Sequence, residues 1–527
     1  MTPPGRRPRL QDPVVAWTAA LLLTGVTFAL RVWHLGSPRQ FAFDETYYAK
    51  DAWSLLHHGY VRGYVDGADA QILEGTTGGL WKDDPSMVVH PEVGKWLIAL
   101  GEQAFGMDPF GWRIASAVVG SLMVLVMCRL ALRLTGSVFW GLVAGLLVSL
   151  DGLHLVLSRL ALLDIFMAFF LLCGVHCVVA DRQWFHARLA RLAPDGVTRG
   201  WGPRVWFRPW LLLGGIAFGL AVGTKWTALY PLAAFGLLVW AWSAGARRSL
   251  GVRWPVLRAA VADGVPAFVH LVLVAFVVYV ASWTGWLVHA EEYERTLSAT
   301  QYSTYDGGEP WPTASEPDAS GLGEVRQSLE SLLSYHRDVY TFHTAFLNDA
   351  THTYSSKPGG WLLMERPVGV SVELDIPPGT DGCDAVQGST CLRQVMLLGN
   401  PVLWWGGCLA LLAALALWAG ARDWRFGVPV VGVAATWLPW FQYDDRTIFV
   451  FYAIAMLPFV VLALVLCLAR LVGPDLRPSR RRTLGAVVGG SFTVLVVLAF
   501  AWFWPVWTNE LITHDEWLGR MWFRRWI

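Results

Sequence analysis

The chain has 527 residues, of which 55% are hydrophobic and 15% charged, and its mean hydropathy is +0.43. These values exclude an ordinary soluble domain and a disordered chain, and they place the protein in a lipid bilayer. A formal net charge of +1 gives no sign of a nucleic-acid partner, and the information lies in where the charges fall along the chain.

The first apolar run, from Val14 to about Val32, follows Arg6, Arg7 and Arg9. It is too long for the apolar core of a secretory signal and reads as a retained membrane anchor. Continuing along the chain, apolar segments of bilayer-spanning length recur at 14–34, 110–132, 137–156, 160–180, 209–223, 226–243, 265–288, 401–419, 427–441, 447–470 and 485–507. The expectation is an all-α polytopic membrane protein with about eleven transmembrane helices.

Charge fixes the orientation. With residues 1–13 cytoplasmic, the inside connections hold Arg133, then Arg182, Arg188, Arg191, Arg199, Arg204 and Arg208, then Arg247, Arg248, Arg253 and Arg258, then Arg422 and Arg425, then Arg470, Arg477, Arg480, Arg481 and Arg482. Every such connection is basic, as the positive-inside rule requires. The loop 35–109 carries instead Asp44, Glu45, Asp51, Asp66, Asp69, Glu74, Asp83, Asp84 and Glu92. The organisation expected is therefore a transmembrane module 14–288 containing an extracytoplasmic first loop 35–109, a large extracytoplasmic loop 289–400, further spans over 401–507 and an extracytoplasmic tail 508–527. The Gly/Pro/Ser stretch 306–322 reads as a local flexible link.

The 31 Trp suit the membrane interface and sugar stacking. Of seven Cys, Cys128, Cys173, Cys177, Cys408 and Cys467 lie in or beside apolar runs and read as packing residues. Cys383 and Cys391 lie in a polar stretch placed outside, where a disulfide persists. No metal-ligand spacing is present, so no metal centre and no cofactor are expected, with a divalent ion left open.

Within the first loop, Tyr48, Ala52, Leu55 and Leu56 recur at helical spacing before Gly59, which predicts a short amphipathic helix at the interface. Asp44 and Glu45 open it. Asp44 is either an N-cap or a general base that accepts a hydroxyl proton. Farther on, His90-Pro91-Glu92-Val93-Gly94-Lys95 precedes a second interfacial helix over 96–105, and Arg113 enters the next span. Arg159, Asp164 and Lys225 fall at outer membrane ends, where a charge faces a cavity or a partner. An Arg159–Asp164 pair or a Lys225–carboxylate pair stands beside ligand binding as an explanation, and Asp444 and Asp445 stand beside Arg446 in the same way. Together, His90, Lys95, Arg113, Arg159, Lys225 and Arg446 suit a lipid phosphate or its substrate, while a carboxylate suits a neutral hydroxyl nucleophile. A transferase outside the cytoplasm also needs a donor that arrives through the lipid.

The stretches Phe43-Asp44-Glu45-Thr46-Tyr47-Tyr48, His90 to Lys95, Arg113, Ser158-Arg159 through Asp164, Gly223-Thr224-Lys225-Trp226, and Tyr354-Ser355-Ser356-Lys357-Pro358 through Trp361 and Arg366-Pro367 resemble the protein O-mannosyltransferase family, of the GT-C membrane glycosyltransferase class, in its actinobacterial form. The resemblance implies inverting transfer of mannose from polyprenyl-phosphate-mannose to a Ser or Thr hydroxyl of a protein. It also implies an Asp44-Glu45 catalytic motif and a functionally important Arg113. Glu92 departs from the family's His-Pro-Pro-like pattern, and 289–400 is too short to hold a β-trefoil as well. Rival readings are a GT-C enzyme moving another lipid-linked sugar to a lipid or polysaccharide, and a lipid-glycan transporter.

Overall fold

In a bilayer, a chain meets its own backbone hydrogen-bonding needs by forming helices, and each long apolar run here does so. The computed structural model describes residues 12–197, 200–299, 310–474 and 477–527. Arg6, Arg7, Arg9, Arg199 and the first part of the 306–322 link lie outside the described residues.

In chain order the helices that frame the molecule are α1 (Pro13–Val32), α2 (Glu45–His58), α3 (Val93–Phe105), α4 (Pro109–Thr135), α5 (Val138–Ser149), α6 (Leu163–Leu192), α7 (Pro209–Val222), α8 (Leu229–Ser249), α9 (Leu322–Thr344), α10 (Pro401–Ala419), α11 (Trp424–Trp437), α12 (Leu457–Val472) and α13 (Arg480–Thr508). A further apolar segment, Gly264–Ala281, includes a π-helical stretch at Phe268–Leu273. Starts follow local chemistry: Asp12 accepts from Val14 N ahead of Pro13, and Asp108 accepts from Gly111 N ahead of Pro109.

Among the described residues, seven helices are long and apolar enough to cross a membrane, and three shorter apolar ones, α5, α7 and α12, accompany them. The shorter three and α11 coincide with segments expected as spans: α7 matches 209–223 to within one residue, while α5 and α12 cover only part of theirs and α11 ends before 441. The 137–156 segment divides at Leu150-Asp151 into α5 and a short helix Gly152–Leu157, and within 447–470 a 3-10 helix, Val450–Ala455, precedes α12. Seven helices thus meet the length and hydropathy of a span, against about eleven expected.

Both loops and the tail pack together at one end of the bundle. Leu55, Val61 and Val88 of the first loop share an apolar cluster with Trp283, Trp286, Tyr293, Trp311, Leu332 and Tyr335. The large loop ends in an antiparallel pair, β1 (Val368–Ile376) with β2 (Cys391–Leu397), and β3 (Ile512–Thr513) of the tail adds to the other edge of β2. Cys383 and Cys391 are joined by a disulfide, with Cα atoms 5.7 Å apart. Gln40 Nε2 donates to Ser371 Oγ at 2.7 Å and ties this sheet to the first loop.

Candidate active site

Asp44 owes its position to its neighbours on both sides. Phe43 adopts φ +54°, a left-handed conformation that a bulky residue holds only where its surroundings impose it. Its ring lies edge-on to Phe449 and Phe451, at centroid distances of 5.3 and 5.7 Å. On the other side Glu45 is fully buried. Its carboxylate accepts from Ala42 N, Ala161 N and two nitrogens of Arg113, at 2.7–2.9 Å. The turn that presents Asp44 is therefore clamped.

Asp44 itself stands at the N-cap position of α2, but its carboxylate makes no capping hydrogen bond. The contact of its carboxylate is with the Tyr48 hydroxyl, at 3.5 Å. Burial pushes the Asp44 carboxyl up to about 6, and the neighbouring Asp164 carboxylate adds to this while Lys225 and Tyr48 oppose it. Asp44 is thus a half-buried carboxylate with acceptor capacity unused among the described residues, in the electrostatic reach of the ion pair of Lys225 Nζ and Asp164 Oδ2 at 2.7 Å.

That ion pair forms part of the wall of a cavity of about 390 Å³, whose lining also includes His90, Trp226, His343, Arg446 and Tyr452. Five separate chain regions meet there: the first loop, α6, the α7–α8 connection, α9 of the large loop and the stretch from the end of α11 to α12. Gly223 allows the second of these to close on α3, because a Cβ there would lie 2.8 Å from Ser282 Oγ and 2.9 Å from a Val93 methyl. Val93 N donates to Gly223 O at 3.1 Å across this contact. Tyr48, His90 and His343 follow one another as a column of rings, 6.2 and 5.5 Å apart. Burial and the nearby cations hold His90 well below the ordinary imidazole range. Next to this cavity is an apolar groove of about 770 Å³ that shares Trp226, Leu229 and Tyr340 with it and extends along Val222, Leu232 and Phe276.

Of the residues singled out in the sequence, Lys225, Arg446 and His90 come together at the cavity, with Asp44 beside them. Glu45, Arg113, Arg159 and Lys95 do not, and the phosphate-binding expectation for the three cations is corrected accordingly. All five N–H groups of Arg113 are taken: two by Glu45 and three by the carbonyls of Leu35, Pro38 and Gln40. The guanidinium of Arg159 caps the end of α1 through the carbonyls of Arg31, Trp33 and His34. Lys95 pairs with Asp51 at 3.0 Å, both buried. The expectation of catalytic duty for Glu45 changes for the same reason, since its four acceptor contacts leave it a clamp.

The alternatives resolve in a consistent way. Asp164 pairs with Lys225, not with Arg159, while Asp444 lies toward Lys357, leaving Arg446 to His343. Glu92, the departure from the family pattern, is buried against Trp96, and burial pushes its carboxyl up to about 7 against the pull of Lys95. His343 and Tyr452 were not singled out from the sequence. Neither sits in a local motif, and only the packing of distant segments reveals them. Among the described residues no His, Cys, Asp and Glu group is arranged to hold a metal ion.

Residues 21–291 match the family described as dolichyl-phosphate-mannose-protein mannosyltransferase, and 328–526 match the C-terminal four-transmembrane region of protein O-mannosyltransferases. The chain is 34% identical over 525 residues to a polyprenol-phosphate-mannose–protein mannosyltransferase of Mycolicibacterium smegmatis, covering 98% of this chain and 94% of that one. It is 33% identical over 524 residues to the protein of that name from Mycobacterium tuberculosis, covering 98% and 92%. In fold it is similar to the S. cerevisiae protein O-mannosyltransferase Pmt1-Pmt2 complex bound to the sugar donor, with a TM-score of 0.66 at 15% identity over 98% of this chain and 94% of that one. Family models that together span most of the sequence, relatives matched almost end to end and a shared GT-C architecture agree that the chain belongs to the protein mannosyltransferase family.

Proposed function

We propose that the protein transfers mannose from polyprenyl-phosphate-mannose to Ser or Thr hydroxyls of polypeptides, by a single inverting displacement. The observation that carries the mechanism is the pairing of opposites at one place: an Asp44 carboxylate with free acceptor capacity beside a cavity lined by Lys225 and Arg446. As the acceptor oxygen attacks the anomeric carbon, Asp44 takes its proton and the C–O bond to the phosphate breaks. The electron pair leaves with the phosphate, whose charge falls to Lys225 and Arg446. Phosphate is stable as an anion, so no second acid is needed to protonate the leaving group. A carboxyl near 6 is mostly ionised at neutral pH and is a stronger base than an ordinary Asp.

The apolar groove joined to the cavity suits the polyprenyl chain, and the aromatic column suits the sugar. Arg113, through Glu45, holds the turn that presents Asp44. In a bacterial cytoplasmic membrane, with the N-terminus cytoplasmic, both loops face outside and meet acceptor proteins as they cross.

Purified protein in detergent, given polyprenyl-phosphate sugars and Ser/Thr peptides, should add one hexose from the mannosyl donor alone, read by peptide mass. Transfer from a pentose or aminosugar donor to lipid, with none from the mannosyl donor, overturns the reading. For orientation, Ala70→Cys and Ser315→Cys should label from outside in intact cells. Labelling only after permeabilisation reverses the topology.

A further inference from the structure

Arg446 lines the cavity but does not hang freely into it. Its Nη1 donates to His343 Nδ1 at 3.1 Å and to the His343 carbonyl at 3.3 Å. His343 Nε2 lies 3.2 Å from the carbonyl of Val89. A carbonyl only accepts and a guanidinium only donates, so a single neutral tautomer fits: Nε2 carries the hydrogen and Nδ1 offers its lone pair. The chain of bonds runs from Arg446 through the imidazole to the backbone beside His90. His343 stacks on His90 at 5.5 Å and meets Trp226 edge-on, which holds the ring plane as well.

The guanidinium is pinned by one corner. Its Nε–H is buried without a partner, and among the described residues neither Nε nor Nη2 has a protein acceptor. Those two groups form the side of the guanidinium that grips two oxygens of one phosphate or carboxylate at once. Asp444 and Asp445 do not fill it, as Arg446 pairs with neither. By contrast, Arg113 and Arg159 direct their guanidinium groups at protein oxygens.

We infer that His343 is a positioning residue for the donor: it holds Arg446 by Nη1 so that the Nε–Nη2 edge is presented to the phosphate of the polyprenyl-linked sugar. The inference deepens the proposed function and rests on it. It also gives α9 of the large loop a direct part in the donor site, with His343 acting on the phosphate through Arg446. Burial and the Arg446 charge push the His343 imidazole down to about 4, so the lone pair at Nδ1 persists at neutral pH.

The test measures binding of polyprenyl phosphate to the purified full chain in detergent, beside single-turnover transfer. His343→Phe keeps a ring against His90 and removes the acceptor. It should weaken polyprenyl phosphate binding about tenfold and raise donor KM to match, with acceptor KM unchanged. His343→Asn places an amide oxygen near the former Nδ1 and should recover most of the loss. In an Arg446→Ala background, His343→Phe should change donor binding by less than about twofold, because the two act as a unit. Equal losses in both backgrounds, with failure of Asn to rescue, would reduce His343 to packing and overturn the inference. A wild-type chain that binds no polyprenyl phosphate overturns the proposed function, and this inference with it. A wild-type chain that binds while His343→Phe binds equally well overturns the inference alone.

Discussion

The buried knot beneath the first loop and the wall of the cavity are built from the same materials and come to opposite ends. In the knot, Arg113 meets Glu45 at 2.7 Å and every other N–H of its guanidinium meets a carbonyl. At the wall, Lys225 is paired with Asp164, but among the described residues Arg446 keeps three N–H groups, on Nε and Nη2, without protein acceptors, and near the wall Asp44 keeps acceptor capacity beyond Tyr48. Both regions hold charges at the end of the bundle where the loops gather. What separates the scaffold from the proposed site is hydrogen-bonding capacity left over after folding, not charge or depth.

The most severe way to break this comparison is Asp44→Asn, which removes the proton acceptor at nearly unchanged volume. Transfer at saturating donor and peptide should fall by about 10²–10⁴-fold, while polyprenyl phosphate binding and thermal stability stay near wild type. Near-normal single-turnover transfer would remove Asp44 as the base. A different failure is expected in the knot. Glu45→Gln leaves the Arg113 charge buried without its counter-ion, at a cost of about 3–5 kcal/mol of stability. The unfolding midpoint in detergent should drop clearly, and the fraction that remains folded should bind donor normally. A stable Glu45→Gln protein with lost chemistry would move Glu45 back to the reaction.

Much of the frame was legible in the sequence because bilayer length and helical periodicity are local signals. The helix after Asp44 begins at Glu45 and stops at Gly59, which takes φ +78°, and the second short helix covers the expected 96–105. Asp44, Lys225 and His90 were legible as candidates, since each stands beside a recognisable local pattern. What the sequence could not convey was which charges would find partners inside the fold. Glu45 and Arg113 are 68 positions apart, and Arg159 reaches carbonyls about 125 positions away, so no window of sequence contains either contact. His343 was missed for the same reason: its meaning depends on Val89 and Arg446, at separations of 254 and 103.

A milder change at the wall sharpens the contrast with the knot. Lys225→Gln still donates a hydrogen bond toward Asp164 but withdraws a positive charge from the cavity. Donor KM should rise about tenfold, with little change in acceptor KM or in the unfolding midpoint. An unchanged donor KM would confine Lys225 to its pair with Asp164.

The smallest effect expected is on pH, and it tests Asp44 without altering it. A general base works when deprotonated, so activity is present above its pKa and is lost as the pH falls through it. Because burial pushes the Asp44 carboxyl up to about 6, kcat/KM for the acceptor should bend downward near pH 6, well above the region near 4 of an unperturbed Asp. At pH 5 the rate should be about tenfold below its plateau, the ionised fraction of such a group at that pH. The two cavity histidines do not imitate this bend, because their surroundings push both below the ordinary imidazole value, His343 to about 4. Glu92, pushed up to about 7, is a carboxyl of the first loop that would confuse the reading. Its replacement in Glu92→Gln separates the two: the bend near 6 should survive in that variant. A bend that vanishes with Glu92, or a profile flat down to pH 5, would show that Asp44 is not the group whose ionisation limits transfer.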